Sequence, residues 1–199
     1  MLSPLQSYLL IYNAFQTFGW SIILCKVIAR LVFTTYYGNL YQYCELELKI
    51  FQTAAILEIL HAALGFVRSP VVTTAIQVYS RVSLVWLILN KAISTQLCLG
   101  VLFILIAWSV TEVVRYSYYG LSLINAVSKV HTWLRYSLFI VLYPLGVVGE
   151  LLIILGALPE VAVRKHFTLE LPNMANFGFS FWWYLIIYMV LYLPGSFLN

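Results

Sequence analysis

Residues 142–152 read LYPLGVVGELL, where a tyrosine, a proline, two glycines and one carboxylate interrupt an apolar run, 133–158, that is long enough to cross a bilayer. Tyr143 and Glu150 stand seven residues apart. On a helix that is nearly two turns, which puts both side chains on one face, about 10 Å apart along the axis. An ionisable group at membrane depth is costly unless it is paired or used, so Glu150 is the first candidate for function.

The rest of the chain has the same character. Of 199 residues, 63% are hydrophobic and 9% charged, with a mean hydropathy of +0.93. A water-soluble globule needs far more charge than this, so the composition predicts an all-α integral membrane protein with several spans. Six segments approach or exceed the roughly 20 residues of a spanning helix: about 9–32, 49–67, 71–89, 96–119, 133–158 and 177–193. They form one membrane domain over 1–199, a six-transmembrane-helix bundle with both termini on the same side. Tyr and Trp crowd the span ends (Tyr36, Tyr37, Tyr41, Tyr43, Tyr118, Tyr119, Trp133, Trp182, Trp183), as interfacial belts do. No positive charge precedes the first apolar run, and no small-residue cleavage site follows it, so that run is expected to remain as a span.

Charge excludes several classes. The net charge of +4 comes from eleven Lys or Arg, dispersed along the chain, against seven Glu and no Asp. No basic cluster tracks a nucleic acid, so DNA and RNA are set aside as partners. Lys26, Arg30, Lys49, Lys91, Arg164 and Lys165 fall near one end of the spans, and Arg68, Arg115, Lys129 and Arg135 near the other. That split is too even to orient the bundle by the positive-inside rule. Cys25, Cys44 and Cys98 are isolated, and His61, His131 and His166 are scattered, so no disulfide framework and no metal site is expected. Without Asp, a GxGxxG turn or a Walker loop, redox and nucleotide-hydrolysis chemistry have no readable site.

The polar residues inside the spans are the informative ones. In the second, Glu58 and His61 are three apart, neighbours on one helical face, and read as a mutually neutralised pair or as participants in chemistry. His61-Ala62, five residues and Arg68 also keep the frame of a cysteine-phosphatase signature. Ala62 stands at the nucleophile position, and without a thiolate there is no covalent phosphoryl transfer. In the third span, QVYSRVSLVW puts Arg81 near mid-membrane, where it needs a Glu from another helix or recognises a phosphate or pantetheine. In the fourth, AWSVTEVVRYSYYG sets Ser109, Glu112, Tyr116 and Tyr119 on one stripe, with Arg115 three residues from Glu112 and able to pair with it. With the fifth span, these lines of polar side chains read as the lining of a common cavity, a metal-free acid/base site suited to proton abstraction and elimination on a lipid.

YNAFQTFGWSIIL, LEILHAALGFVRSP, QVYSRVSLVW, AWSVTEVVRYSYY and WLRYSLFIVLYPLGVVGE, followed by a closing aromatic span, occur in the order of one known family. Over about 12–193 the chain resembles the very-long-chain (3R)-3-hydroxyacyl-CoA dehydratases, also called protein tyrosine phosphatase-like proteins. The resemblance implies a six-span, multi-pass protein of the endoplasmic reticulum membrane. Its reaction would be the third step of fatty acid elongation, which supplies very-long-chain fatty acids and sphingolipid precursors. In that step a (3R)-3-hydroxyacyl-CoA becomes the trans-2-enoyl-CoA and water, in company with a condensing enzyme and two reductases.

No cofactor is implied, since CoA is part of the substrate. The family's catalytic Tyr and Glu fall on Tyr143 and Glu150 as identities. Arg81, Glu112, Arg115, Tyr116 and Gly146 are expected to bind substrate or line the cavity. Members commonly carry a basic cytosolic tail, whereas this sequence stops at LYLPGSFLN, so the location rests on the family alone. The alternative from another class is a bundle of the same fold without turnover, a scaffold for elongase or signalling partners. Intact Tyr143 and Glu150 argue against it, because a purely structural helix has no need of a buried carboxylate.

Helical rise poses a geometric problem for the pair. Substrate carbons 2 and 3 are bonded neighbours, while the two Cα atoms are about 10 Å apart. Pro144 removes a backbone donor and crowds the Ile140 carbonyl, so a kink between Tyr143 and Glu150 is expected to close the gap.

Overall fold

A computed structural model describes residues 2–34, 38–174 and 176–197, with side chains described as far as residue 191. Tyr36 and Tyr37 of the expected aromatic belt, and the side chains at the end of the sixth expected span, lie outside the described residues. The described chain is helical: α1 (Pro4–Thr34), α2 (Leu40–Ala54), α3 (Ile56–Ala63), α4 (Val71–Ser83) prolonged by a π-helical turn (Leu84–Leu89), a short 3₁₀ turn (Ile93–Leu97), α5 (Leu99–Leu123), α6 (Lys129–Ser137), α7 (Phe139–Arg164) and α8 (Phe181–Phe197). One isolated bridge, between Leu169 and Phe179, closes the loop that joins α7 to α8.

Four of these helical stretches are long and apolar enough to cross a membrane unaided: Pro4–Thr34, Val71–Leu89, Leu99–Leu123 and Phe139–Arg164. The expectation of six is met only to that extent. The second segment starts earlier and ends sooner than 49–67, because its apolar residues follow helical spacing from Leu40: Tyr41, Cys44, Leu48 and Phe51 are buried, while Glu45, Glu47 and Lys49 flank that face half-buried. It breaks at Ala55 and stops at Ala63, where Gly65, at φ +71°, takes the left-handed position of a Schellman cap. There the Phe66 and Gly65 amides donate to the His61 and Ala62 carbonyls at 2.8 and 3.1 Å. The sixth segment supplies only a short apolar helix, 181–191, among residues with described side chains.

α5 is the central helix. Half of its apolar window is buried, against 22–28% for the other three. Ile104, Leu105 and Trp108 share one buried cluster with Trp20, Ile23 and Val27 of α1 and with Ile153 and Ile154 of α7, the two helices that pack most closely on α5. The α5–α7 crossing depends on missing side chains: a Cβ on Gly100 would lie 2.6 Å from the Gly149 carbonyl oxygen, and one on Gly149 would lie 2.8 Å from the Ile104 side chain. Close approach of backbones is the usual reason for glycine at membrane-helix crossings. Outward faces carry large apolar residues instead, among them Ile11, Phe18, Val72, Ile140 and Val141, each about two-thirds or more exposed. This is the pattern of a bundle solvated by hydrocarbon.

The kink expected between Tyr143 and Glu150 is not where the helix breaks. α7 is unbroken from Phe139 to Arg164, with Pro144 and Pro159 inside it. The interruption falls at Leu138, between α6 and α7, before both residues. Pro144 lacks the N–H that would bond Ile140, and at the α6–α7 junction the Leu138 amide reaches Leu134 at 3.0 Å.

Candidate active site

Four helices bring charged groups into one line. Arg115 of α5 uses all three guanidinium nitrogens: the terminal two donate to Glu58 of α3 at 2.8 and 2.9 Å, and Nε donates to Glu112, one turn before it on α5, at 2.7 Å. Glu112 in turn accepts from Arg81 of α4. Glu150 of α7, buried to 5% exposure, lies within electrostatic reach of Arg81. The order Glu58, Arg115, Glu112, Arg81, Glu150 alternates in sign across α3, α5, α4 and α7. Guanidiniums are suited to this because a planar fork can serve two carboxylates at once. Buried charges persist when each is answered by another, which the ladder achieves for groups spread over 92 residues of sequence.

Aromatic rings wall the ladder. The Arg81 guanidinium sits over Trp108 at 5.2 Å and that of Arg115 over Tyr116 at 4.5 Å. The Tyr116 hydroxyl donates to Glu58, and its ring meets Tyr12 edge-on at 6.1 Å. Tyr12 is fixed from α1, donating to the Ala54 carbonyl at 3.2 Å and accepting from the Gln16 amide at 3.1 Å. Gly146 brings α7 against the same wall, for a Cβ there would lie 3.6 Å from Ala107 and 3.9 Å from the Trp108 ring nitrogen. Tyr143, half-buried, stands two turns before Glu150 with its ring tilted against Phe139 at 4.8 Å.

The structure therefore gathers Arg81, Glu112, Arg115 and Tyr116 into one network, with Gly146 and Glu150 beside it. Arg81 takes the plainer of its two expected roles, an ion pair to a Glu on another helix. Glu112 and Arg115 pair as their spacing indicates. Tyr119 leaves the stripe: it is exposed at its edge, accepting from Arg135 at 3.3 Å. Glu58 and His61 are not partners. Glu58 belongs to Arg115 and Tyr116, while His61 Nε2 shares a 2.9 Å hydrogen bond with the Tyr8 hydroxyl and lies against the Tyr8 and Tyr12 rings. Adjacency on a helix lost to a bidentate guanidinium arriving from α5. Trp108 and Tyr188, the latter within electrostatic reach of Glu150, were not legible in the sequence, where they read as two more aromatics in apolar helices.

The family model for the protein tyrosine phosphatase-like proteins (PTPLA) matches residues 52–199, a stretch that contains every member of the ladder. The chain belongs to the protein tyrosine phosphatase-like family. Similar proteins include the very-long-chain (3R)-3-hydroxyacyl-CoA dehydratase hpo-8 of Caenorhabditis elegans, 53% identical over 96% of this chain and 88% of its own length. The very-long-chain (3R)-3-hydroxyacyl-CoA dehydratase 2 of Homo sapiens is 45% identical over 94% of this chain and 74% of its own. The dehydratase PASTICCINO 2 of Arabidopsis thaliana is 40% identical over 95% and 86%. No solved structure matches. In this protein tyrosine phosphatase-like chain the position that a phosphatase would fill with a thiol holds Ala62, packed under the α3 cap with 7% exposure.

Proposed function

We propose that the chain dehydrates very-long-chain (3R)-3-hydroxyacyl-CoA to the trans-2-enoyl-CoA, the third step of fatty acid elongation, with Glu150 and Tyr143 as its catalytic residues. The observation that carries the reading is the position of Glu150, a buried carboxylate at the end of a charge ladder in a chain whose curated relatives are named for this reaction. The ladder contains three carboxylates and two guanidiniums, so with every group ionised it carries one surplus negative charge. Uptake of one proton balances it.

That arrangement suits a base. Glu150 takes the proton from C2, the electron pair forms the C2–C3 double bond as the C3–O bond breaks, and the C3 hydroxyl leaves as water with the proton that C2 gave up, returned through the site. Tyr143 supplies a hydrogen bond to the departing hydroxyl or to the thioester oxygen as negative charge develops there. With α7 unbroken, about 10 Å of helix separates the two Cα atoms, so the substrate lies along the helix with the reacting carbons between the side chains. Gly146, midway between them, packs α7 against Ala107 and Trp108 of α5. The chemistry calls for no cofactor, and CoA arrives as part of the substrate.

The same reading places the protein in the endoplasmic reticulum membrane, multi-pass, working with an elongase condensing enzyme and the reductases of the cycle. The α2–α3 pair and α8 complete six crossings with the four longer stretches. The deciding experiment supplies the purified protein in detergent with a (3R)-3-hydroxyacyl-CoA and follows the enoyl product. Absence of product from folded protein overturns the proposal.

A further inference from the structure

α5 and α7 pack antiparallel, and their glycines give the register. Gly149 lies against Gly100 and Ile104, and one turn earlier on α7 Gly146 lies against Ala107 and Trp108. Ile104 and Trp108 are four residues apart on α5, so both belong to the face turned to α7. On α7 the positions 143, 146 and 150 share one stripe, with Gly146 about 4.5 Å along the axis from Tyr143 and about 6 Å from Glu150. Trp108 therefore stands opposite the middle of the Tyr143–Glu150 pair.

The indole presents one edge there. Of its atoms, only the ring nitrogen comes within 4 Å of the place a Gly146 Cβ would take, at 3.9 Å. The N–H edge, rather than the carbon edge, is thus the part of the ring nearest the stripe. The flat face of the ring carries the Arg81 guanidinium at 5.2 Å, and Arg81 is within electrostatic reach of Glu150. Trp108 is 2% exposed, and buried indole N–H groups usually find an acceptor, as that of Trp86 does at Thr53, 3.0 Å away. Among the described residues, no hydrogen bond uses the Trp108 N–H. The Trp20 N–H is unclaimed too, but what sets Trp108 apart is its place against the stripe of Tyr143 and Glu150.

We infer that the Trp108 N–H is a third catalytic group, which donates a hydrogen bond to the thioester oxygen of the substrate and stabilises the negative charge that gathers there. This rests on the dehydratase reading above and adds which group meets which oxygen. When Glu150 removes the C2 proton, the C2–H electron pair is drawn toward the thioester carbonyl, whose oxygen is two bonds from C2. As the C3–O bond breaks, that pair becomes the C2–C3 double bond and the oxygen returns to neutrality. The indole is a donor only and keeps its proton throughout. A donor held in place beforehand, in a site closed to water, needs no reorganisation as the charge appears. With the thioester oxygen met from α5, Tyr143 is left to the C3 hydroxyl.

The test deletes the N–H and keeps the ring. Trp108→3-benzothienylalanine puts sulfur where the indole has N–H and preserves the surface under Arg81. At matched folded concentration its kcat for a (3R)-3-hydroxyacyl-CoA should fall about 10²–10³-fold, the loss that follows removal of one oxyanion donor, with KM within about twofold. An unchanged kcat means that the ring only packs, and overturns the inference.

A second measurement reads the hydrogen bond without turnover, as the infrared carbonyl stretch of bound trans-2-enoyl-CoA carrying carbon-13 at the thioester carbon. The band should be lowered, relative to the same thioester in detergent, by the unaltered protein and equally by Tyr143→Phe, and released by the benzothienyl variant. Release by Tyr143→Phe makes Tyr143 the donor and overturns the inference, so the question is decided even if the variant at 108 does not fold. An unaltered protein that forms no enoyl-CoA refutes the dehydratase reading and this assignment with it. An active protein whose rate and carbonyl band ignore position 108 refutes the assignment alone.

Discussion

Arg115 grips Glu58 with both terminal guanidinium nitrogens, at 2.8 and 2.9 Å, and so ties α5 to α3 through the middle of the bundle. Removing one partner strands the other. Arg115→Ala should destabilise the protein by about 3 kcal/mol, at the low end for buried pairs because both side chains keep some exposure. Thermal unfolding in detergent measures this. Replacing both partners, as Glu58→Gln with Arg115→Met, should recover part of the loss, since no unpaired charge remains on that arm of the ladder.

Glu150→Gln and Tyr143→Phe keep the volume of each side chain and delete only the proton site or the hydroxyl. Each should lower enoyl-CoA formation about 10²–10⁴-fold at matched folded concentration. The double variant should be little worse than the weaker single one, because groups that act as a unit are not additive. Near-normal turnover by Glu150→Gln would make the carboxylate structural and remove it from the mechanism.

The glycines of α5 and α7 should divide by what their missing Cβ would meet. Gly100→Ala puts a methyl group 2.6 Å from the Gly149 carbonyl oxygen and forces the helices apart, at a cost of about 1–3 kcal/mol and with loss of activity. Gly146→Ala and Gly156→Ala meet nothing closer than 3.6 and 3.9 Å, so both should fold. If substrate lies across Gly146, its alanine variant should raise KM while the Gly156 variant does not. Steady-state kinetics beside melting curves separates the three.

With the α2–α3 pair and α8 crossing as proposed, both termini lie on one side of the membrane. Glycosylation acceptor sites added at each end should therefore be modified together or not at all. Modification of one terminus alone would give an odd number of crossings and leave the α2–α3 pair or α8 on the surface.

The bundle was legible in the chain to the extent that hydrophobicity alone decides it. Span 71–89 coincides with α4 and its π turn, and the first, fourth and fifth segments are shifted by only a few residues. α2 was misplaced because its buried face, Tyr41 to Phe51, is interleaved with Glu45, Glu47 and Lys49, and a window average dilutes such a face. Within the ladder, Glu112 with Arg115 could be read from spacing, since their contact is local. Glu58 could not: its partner comes from 57 residues away, and nothing in one helix reveals which side chain of another will face it.

The π turn at Leu84–Leu89, where the Asn90 amide reaches back five residues to Val85 at 3.0 Å, holds one residue more than the same turn of α-helix. Deleting one residue of that turn would restore regular winding and leave the faces before and after it close to their present register, because the bulge is where the extra residue is absorbed. A second deletion in the same turn would have nothing to absorb it and would rotate everything before it by about 100° relative to everything after it, swinging Arg81 away from Glu112 with its own chemistry untouched. Lineages of this protein should thus tolerate the loss of one residue between Leu84 and Leu89 far more readily than the loss of two.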